Sequence, residues 1–277
     1  MRIAIACEDQ AHRALATSLT ERVLLVEAER RGAAHWVDEP SLTFLRSFCG
    51  LDDTDQTPEH LRFYDLKRAG RDVVDLGKRP LIGGRRLSLT GHIDGKPLQP
   101  EAAFWRRVFI LFAAAEPRLD ALIVVRDTDG DPRRLAGLKQ AFEGFSWPLP
   151  ILVAAPHQDA EAWFVAGFVP RNNAEQRRLD ERKARLSFDP AEEPHRLTAH
   201  PNDAPTDAKR VLRILLLDED ESRPPGLDEL PDLCTRTLTD LGRLERRGQR
   251  CGLSDFLADL RSRLVPLLIP GPPALAP

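Results

Sequence analysis

The sequence predicts an α/β fold in which a parallel sheet is covered by helices on both faces. Three apolar runs of strand length, at residues 2–7, 121–125 and 151–155, are each followed by a polar turn and a segment of helical character. Strands that are apolar throughout are typical of parallel sheets, because both of their faces are buried. Short connections between alternating strands and helices favour the same arrangement.

The first strand and helix open the chain, and a less regular segment follows them. Residues 2–7 form the strand, and residues 11–31 carry leucine and valine at helical spacing. Residues 35–100 are predicted to be an insertion between this helix and the second core strand, beginning with a short helical piece at 40–49.

Two further features lie inside the insertion. The basic run at 78–86 is predicted to be a solvated loop, with phosphate contact as the alternative. Alternation at 87–90, followed by Asp94 and Gly95, predicts a small hairpin or loop excursion.

The alternating pattern resumes after the insertion. The predicted elements are a helix at 101–116, a strand at 121–125, a helix at 132–145, a strand at 151–155 and a helix that begins at Glu161. Together with the first unit, they define an α/β domain over residues 1–170.

The remainder of the chain is predicted to be a helical C-terminal appendage at residues 171–269. Residues 171–205 are polar and rich in proline, so they are expected to form an irregular or partly helical connector. The predicted helices follow at 206–217, 230–247 and 253–268, and a disordered tail is predicted at 270–277.

Composition excludes several classes of protein. The formal net charge is −3, so any contact with nucleic acid would have to be made by a local basic patch. The four cysteines show no CxxC pair, which argues against a zinc site or a disulfide framework. No apolar run reaches the roughly 18 residues that a membrane span needs, and the N-terminal segment is unlike a signal peptide. We therefore expect a cytoplasmic protein without membrane contact.

The central strand runs directly into a cluster of acidic residues. Asp127, Asp129 and Asp131 alternate after residues 121–125, at the edge where α/β sheets bind their ligands. Carboxylates gathered in this way repel one another unless a cation such as Mg²⁺ neutralises them. The alternative is that these are turn residues, with Asp131 as the N-cap of a helix that starts at Pro132.

Acidic residues follow all three predicted strands. They are Glu8, then Asp127 with Asp129, and then Glu161 in the segment Asp-Ala-Glu-Ala-Trp-Phe. This order resembles the Toprim domain, and in particular the small Toprim-like and OLD-type nuclease proteins of bacterial genomes and defence loci. The resemblance implies a Rossmann-like parallel sheet. The first motif departs from the family pattern, because Asp9 stands where a glycine is common and His12 follows without the second acid.

The resemblance implies a metal-dependent nuclease acting on DNA or RNA, and it allows a place in an antiphage system beside an ATPase or another subunit. Asp127 and Asp129 would hold Mg²⁺ or Mn²⁺, Glu8 would act as general base or as a further ligand, and Glu161 would complete a second metal site. The further candidates are Asp131 as a metal ligand and, as phosphate contacts, Arg126, Arg133 and His157. The oligomeric state stays open.

Two alternatives accompany this interpretation. Asp127 and Asp129 also resemble the nucleophile loop of haloacid-dehalogenase-type phosphatases, although that loop usually follows the first strand. The chain could instead be a non-catalytic subunit that binds a metal or a partner. Trp163 is expected to pack in the core rather than to stack on a base.

Overall fold

The computed structural model describes residues 1–32, 46–54, 56–75, 92–93, 95–143, 145–200, 204–219 and 222–269. The strands are β1 (Arg2–Cys7), β2 (Ser47–Cys49), β3 (Tyr64–Asp65), β4 (His92–Ile93), β5 (Lys96–Pro97), β6 (Ala121–Val125) and β7 (Ile151–Ala154). The central feature is a parallel sheet in the order β2, β1, β6, β7, with β3 pairing on the carboxyl end of β1.

Helices follow β1, β6 and β7 as the sequence predicts, and a further helix at Leu66–Asp75 after β3 was not predicted. The helices are α1 (Gln10–Arg30), α2 (Leu66–Asp75), α3 (Ala102–Ala113), α4 (Pro132–Phe142), α5 (Glu161–Gly167), α6 (Asn173–Leu186), α7 (Ala208–Leu217), α8 (Leu230–Thr237), α9 (Leu241–Arg247), α10 (Leu253–Asp259) and α11 (Val265–Leu268). Short 3-10 turns occur at Glu59–Leu61 and Pro194–Arg196, and a π-helical turn at Leu260–Leu264 joins α10 to α11.

Two hydrophobic layers cover the sheet, because successive strand residues point to opposite faces. Ile5 and Ile123 pack into the layer that contains α1, α5 and the C-terminal helices. Ala6 and Val124 pack into the opposite layer, which contains α3 and α4. The α/β class with helices on both faces is therefore confirmed.

The segment predicted to be an insertion contributes strands to the main sheet. Ser47–Cys49 pairs in parallel with β1, so the predicted helical piece at 40–49 is wrong for its last residues, and residues 40–45 lie outside those described. The runs at 78–86 and 87–90 also lie outside the described residues. The small hairpin is found slightly later, as β4 and β5 around Gly95, which has a positive φ of 75°.

The C-terminal helices pack directly on the sheet. Phe256 lies in the same cluster as Ile5, and its ring stacks on that of Trp163 at 5.9 Å between centroids. Trp163 is fully buried, as predicted.

Three further predictions about the C-terminal part and the cysteines can be compared with the structure. The helix predicted at 230–247 is two helices, and much of the predicted connector is α6. The tail at 270–277 lies outside the described residues. The four cysteines are buried free thiols, and among the described residues no helix is long and apolar enough to cross a membrane.

Candidate functional site

The loops after β6 and β7 are held together at the carboxyl edge of the sheet. Thr128 N donates to Pro156 O at 3.0 Å, and Gly130 N donates to His157 O at 2.9 Å. Asp129 and Gly130 have positive φ values of 49° and 73°, which turn the chain back toward α4. This hydrogen-bonded loop pair sets the position of the acidic residues.

Asp127 is held by a histidine from α1. His12 Nε2 donates to Asp127 Oδ2 at 3.0 Å, and only 3% of His12 is exposed. Asp9 caps α1 by accepting from His12 N at 2.9 Å, which fixes the helix start. Burial alone would lower the pKa of His12, but the charge and hydrogen bond of Asp127, with help from Asp9, raise it to about 9. His12 is therefore a cation at neutral pH.

The second oxygen of Asp127 is an exception to the usual pairing of buried polar atoms. Oδ1 is buried and has no hydrogen-bond partner among the described residues. An unpaired buried carboxylate oxygen costs free energy, so its position calls for a cation or a donor that the described residues do not supply there.

Glu161 and Asp159 form a second buried pair of acids beside Asp127. Lys209 Nζ lies 2.6 Å from Asp159 Oδ2 and 3.9 Å from Glu161 Oε2. Glu161 is 5% exposed, and burial raises its pKa to about 7 although Lys209 opposes the shift. The charges of Asp159 and Asp127 act in the same direction as burial. Glu161 can thus exchange a proton near neutral pH.

Glu8 and Asp129 are each bound by an arginine. Arg126 contacts Glu8 through Nη1 and Glu101 through Nη2, the latter at 3.2 Å. Arg134 contacts Asp129 through Nη1.

A cavity of about 310 Å³ opens beside Glu8 and Arg126, with Lys67 and Phe104 in its wall. Arg126 therefore lies within the acidic site, next to a space that a ligand can enter.

The other three predicted candidates lie at the margin. Asp131 caps α4 by accepting from Arg133 N at 2.9 Å, as its alternative role predicted. Hydrogen bonds from Arg133 lower the pKa of Asp131 to about 2. His157 Nδ1 contacts Arg250 O at 2.8 Å, which ties β7 to the C-terminal helices. The structure thus gives Asp131 and His157 local structural partners.

Sequence reasoning missed four residues of the site, Lys209, His12, Asp159 and Arg134. Lys209 lies in the first turn of α7, whose N-cap is Asp207, and 80 residues separate it from Asp129. The only sequence signal for Lys209 was its place near the start of a predicted helix that follows a polar connector. His12 stands four residues after Glu8, in the part of the first motif that departs from the Toprim pattern.

The acids gather at one edge of the sheet, and each contacts a positively charged side chain. These side chains are His12, Arg126, Arg134 and Lys209. Among the described residues, no three side chains of His, Cys, Asp or Glu stand close enough to share a metal ion. Asp127 and Glu161 still fit a divalent cation, because Glu161 is buried and Asp127 keeps a buried, unpaired oxygen.

Comparisons with protein-family models, curated proteins and solved structures find no match for this chain.

Proposed function

We propose that this chain is a Mg²⁺-dependent phosphodiesterase that hydrolyses DNA or RNA. The observation that supports the proposal best is the buried, unpaired Oδ1 of Asp127, at a sheet edge where other acids converge. A divalent cation bound there would satisfy this oxygen and reduce the repulsion between Asp127 and Glu161. Mn²⁺ has the same preference for oxygen ligands.

Asp127 and Glu161 would hold the cation, with Glu8 and Asp129 as further ligands. A bound Mg²⁺ neutralises phosphate charge and makes water a better nucleophile. His12 orients Asp127 through its hydrogen bond, and Lys209 keeps the two buried acids beside it in place.

The remaining charged groups can act on the substrate directly. Arg126 presents guanidinium N–H groups beside the 310 Å³ cavity, where they can bind phosphate oxygens. Glu161 has a pKa of about 7, so it loses its proton near neutral pH and can then serve as a ligand of the cation. The chain thus contains an anion-binding group next to acids that can hold a cation.

The test is cleavage of mixed DNA and RNA with Mg²⁺, with Mn²⁺ and with chelator. We expect metal-dependent cleavage that Asp127→Asn lowers by at least about 100-fold, because the unpaired carboxylate oxygen is lost. Asp131→Asn is the matched control, since it removes the same charge four residues away and asparagine still caps a helix. Equal cleavage by wild type and Asp127→Asn would contradict the proposal.

A non-catalytic role is the second candidate, and the four acid–cation contacts favour it. An acidic cluster whose members already have cations in the chain can serve as a structural centre. Absence of both cleavage and metal binding would support this role. An antiphage setting and an ATPase partner rest on the Toprim resemblance alone.

The phosphatase alternative lacks a specific supporting contact. Its mechanism needs a lysine at the first aspartate, whereas Lys209 contacts Asp159 and Glu161, and His12 contacts Asp127.

A further inference from the structure

A cavity of about 740 Å³ opens between α1 and α8. Its walls combine apolar side chains with hydroxyl groups and arginines, including Leu25, Leu230, Leu238, Thr17, Arg13 and Arg22. Its volume lies in the range of small-molecule sites, roughly 300–1,000 Å³. The acids of the candidate catalytic site do not line it, so it is a separate space.

Arg13 carries a buried charge that the described part of the chain does not neutralise. It is 8% exposed, and no carboxylate of the described residues lies within 4.0 Å of its guanidinium nitrogens. Its Nε donates to Arg62 O at 3.4 Å, which is a long hydrogen bond. Burial lowers the pKa of Arg13, although Glu59 and Glu21 act against this shift from a distance.

An arginine in this state is costly to the free protein, because a buried charge is normally paired. The two acids in the cavity wall do not compensate for it. Glu21 contacts the guanidinium of Arg46, and Asp228 is exposed. The uncompensated charge inside the cavity is therefore positive.

We propose that this cavity binds a small anionic amphiphile, with its phosphate or carboxylate head at Arg13 and its apolar body against the leucines. A guanidinium group binds either anion through two parallel hydrogen bonds. Leu25, Leu230 and Leu238 offer the apolar surface. The site is independent of the proposed nuclease chemistry.

The experiment compares probes that carry the head, the body or both. Binding of hexyl phosphate, hexanoate, inorganic phosphate and hexanol is measured by calorimetry in the presence of a chelator, so that no metal-bound site contributes. We expect hexyl phosphate or hexanoate to bind at least about tenfold more tightly than inorganic phosphate and hexanol, because only they satisfy both parts of the cavity. If neither amphiphile binds, or if hexanol binds as tightly, the proposal is wrong.

Substitutions then locate the binding. Arg13→Met should lose at least about tenfold in affinity, since the charged hydrogen bonds disappear. It should also unfold at the same or a higher temperature without ligand, because it removes an unpaired buried charge. Arg30→Met is the matched control on the same helix, as the Arg30 side chain is 77% exposed and lies outside the cavity. Unchanged affinity in Arg13→Met would overturn the assignment.

Two more variants separate this site from the acidic one. Thr235→Trp places a large side chain at the exposed rim of the cavity, and it should weaken hexyl phosphate binding as well. Arg126→Met, which removes the cation that could bind an anion at the acidic site, should bind the amphiphile like wild type. Loss of binding in Arg126→Met, with retention in Thr235→Trp, would place the anion at the acidic site instead.

Discussion

Replacement of Glu161 by glutamine gives a test of the electrostatics of the acidic site that does not require activity. Glu161 is 5% exposed, and burial raises its pKa from 4.5 to about 7. The folded state therefore prefers the protonated form more strongly than the unfolded state does. The stability that this preference contributes is fully present below pH 4.5 and is lost as the pH rises through 7.

The size of the effect follows from the two pKa values. Each pKa unit corresponds to about 1.4 kcal/mol, so folding stability should fall by about 3 kcal/mol across the whole titration. Most of the fall, about 2.5 kcal/mol, should occur between roughly pH 5 and pH 8. Glu161→Gln cannot titrate, so this part of the pH dependence should disappear.

The assay is urea unfolding of both proteins at pH 5 and pH 8, with chelator present. The free energy of unfolding of Glu161→Gln, relative to wild type, should rise by about 2.5 kcal/mol from the lower to the higher pH. Glu29→Gln, at an exposed position of α1, controls for the loss of one negative charge. Addition of Mg²⁺ at pH 8 should stabilise wild type and leave Glu161→Gln less affected, because the cation favours the charged carboxylate.

Parallel pH profiles for wild type and Glu161→Gln would refute this reasoning. They would mean that Glu161 is already ionised at pH 5, with Lys209 outweighing the effect of burial.

The other predictions concern packing near the site. Trp163→Phe removes the hydrogen bond that Nε1 donates to the buried carbonyl Cys251 O at 2.8 Å. We expect the free energy of unfolding, measured in urea, to fall by about 1–2 kcal/mol. Gly167→Ala would place a Cβ 1.7 Å from Thr237 O, and we expect the melting temperature to fall by at least about 5 °C. Gly242→Ala, an exposed helical position with no contact closer than 3.6 Å, should be neutral or stabilising by up to about 1 kcal/mol.

Each of these predictions has a clear contrary result. An unchanged free energy of unfolding in Trp163→Phe would show that the hydrogen bond contributes nothing net. Equal melting temperatures for Gly167→Ala and Gly242→Ala would mean that α5 and α8 can separate without cost.

The apolar strands and the acids that follow them were predictable because both signals are local. The run from Ala121 to Val125 is too apolar to lie at a surface, and the polar residues after it must mark the sheet edge. The same reasoning placed Glu8 and Glu161 at the ends of their strands. Asp131 was recognised as a cap because its role depends only on the next two residues.

The short strands of the inserted segment were missed because they carry too few residues for a period to show. Ser47–Cys49 and Tyr64–Asp65 gain their conformation from pairing with β1, not from their own pattern. The C-terminal helices were recognised as helices, but their position on the sheet depends on contacts such as Trp163 with Phe256, which are far apart in the chain.

The sequence by itself determined the fold class and the edge of the sheet at which the acids gather. Only the tertiary structure decided which cation meets which acid: His12 at Asp127, Lys209 at Asp159, and none of the described acids at Arg13. The hydrophobic patterns of helices and strands depend on residues that are close in sequence, whereas an ion pair depends on the final positions of elements that are far apart in the chain. The free energy of a charge is set by its burial and its partners, and both exist only in the folded chain.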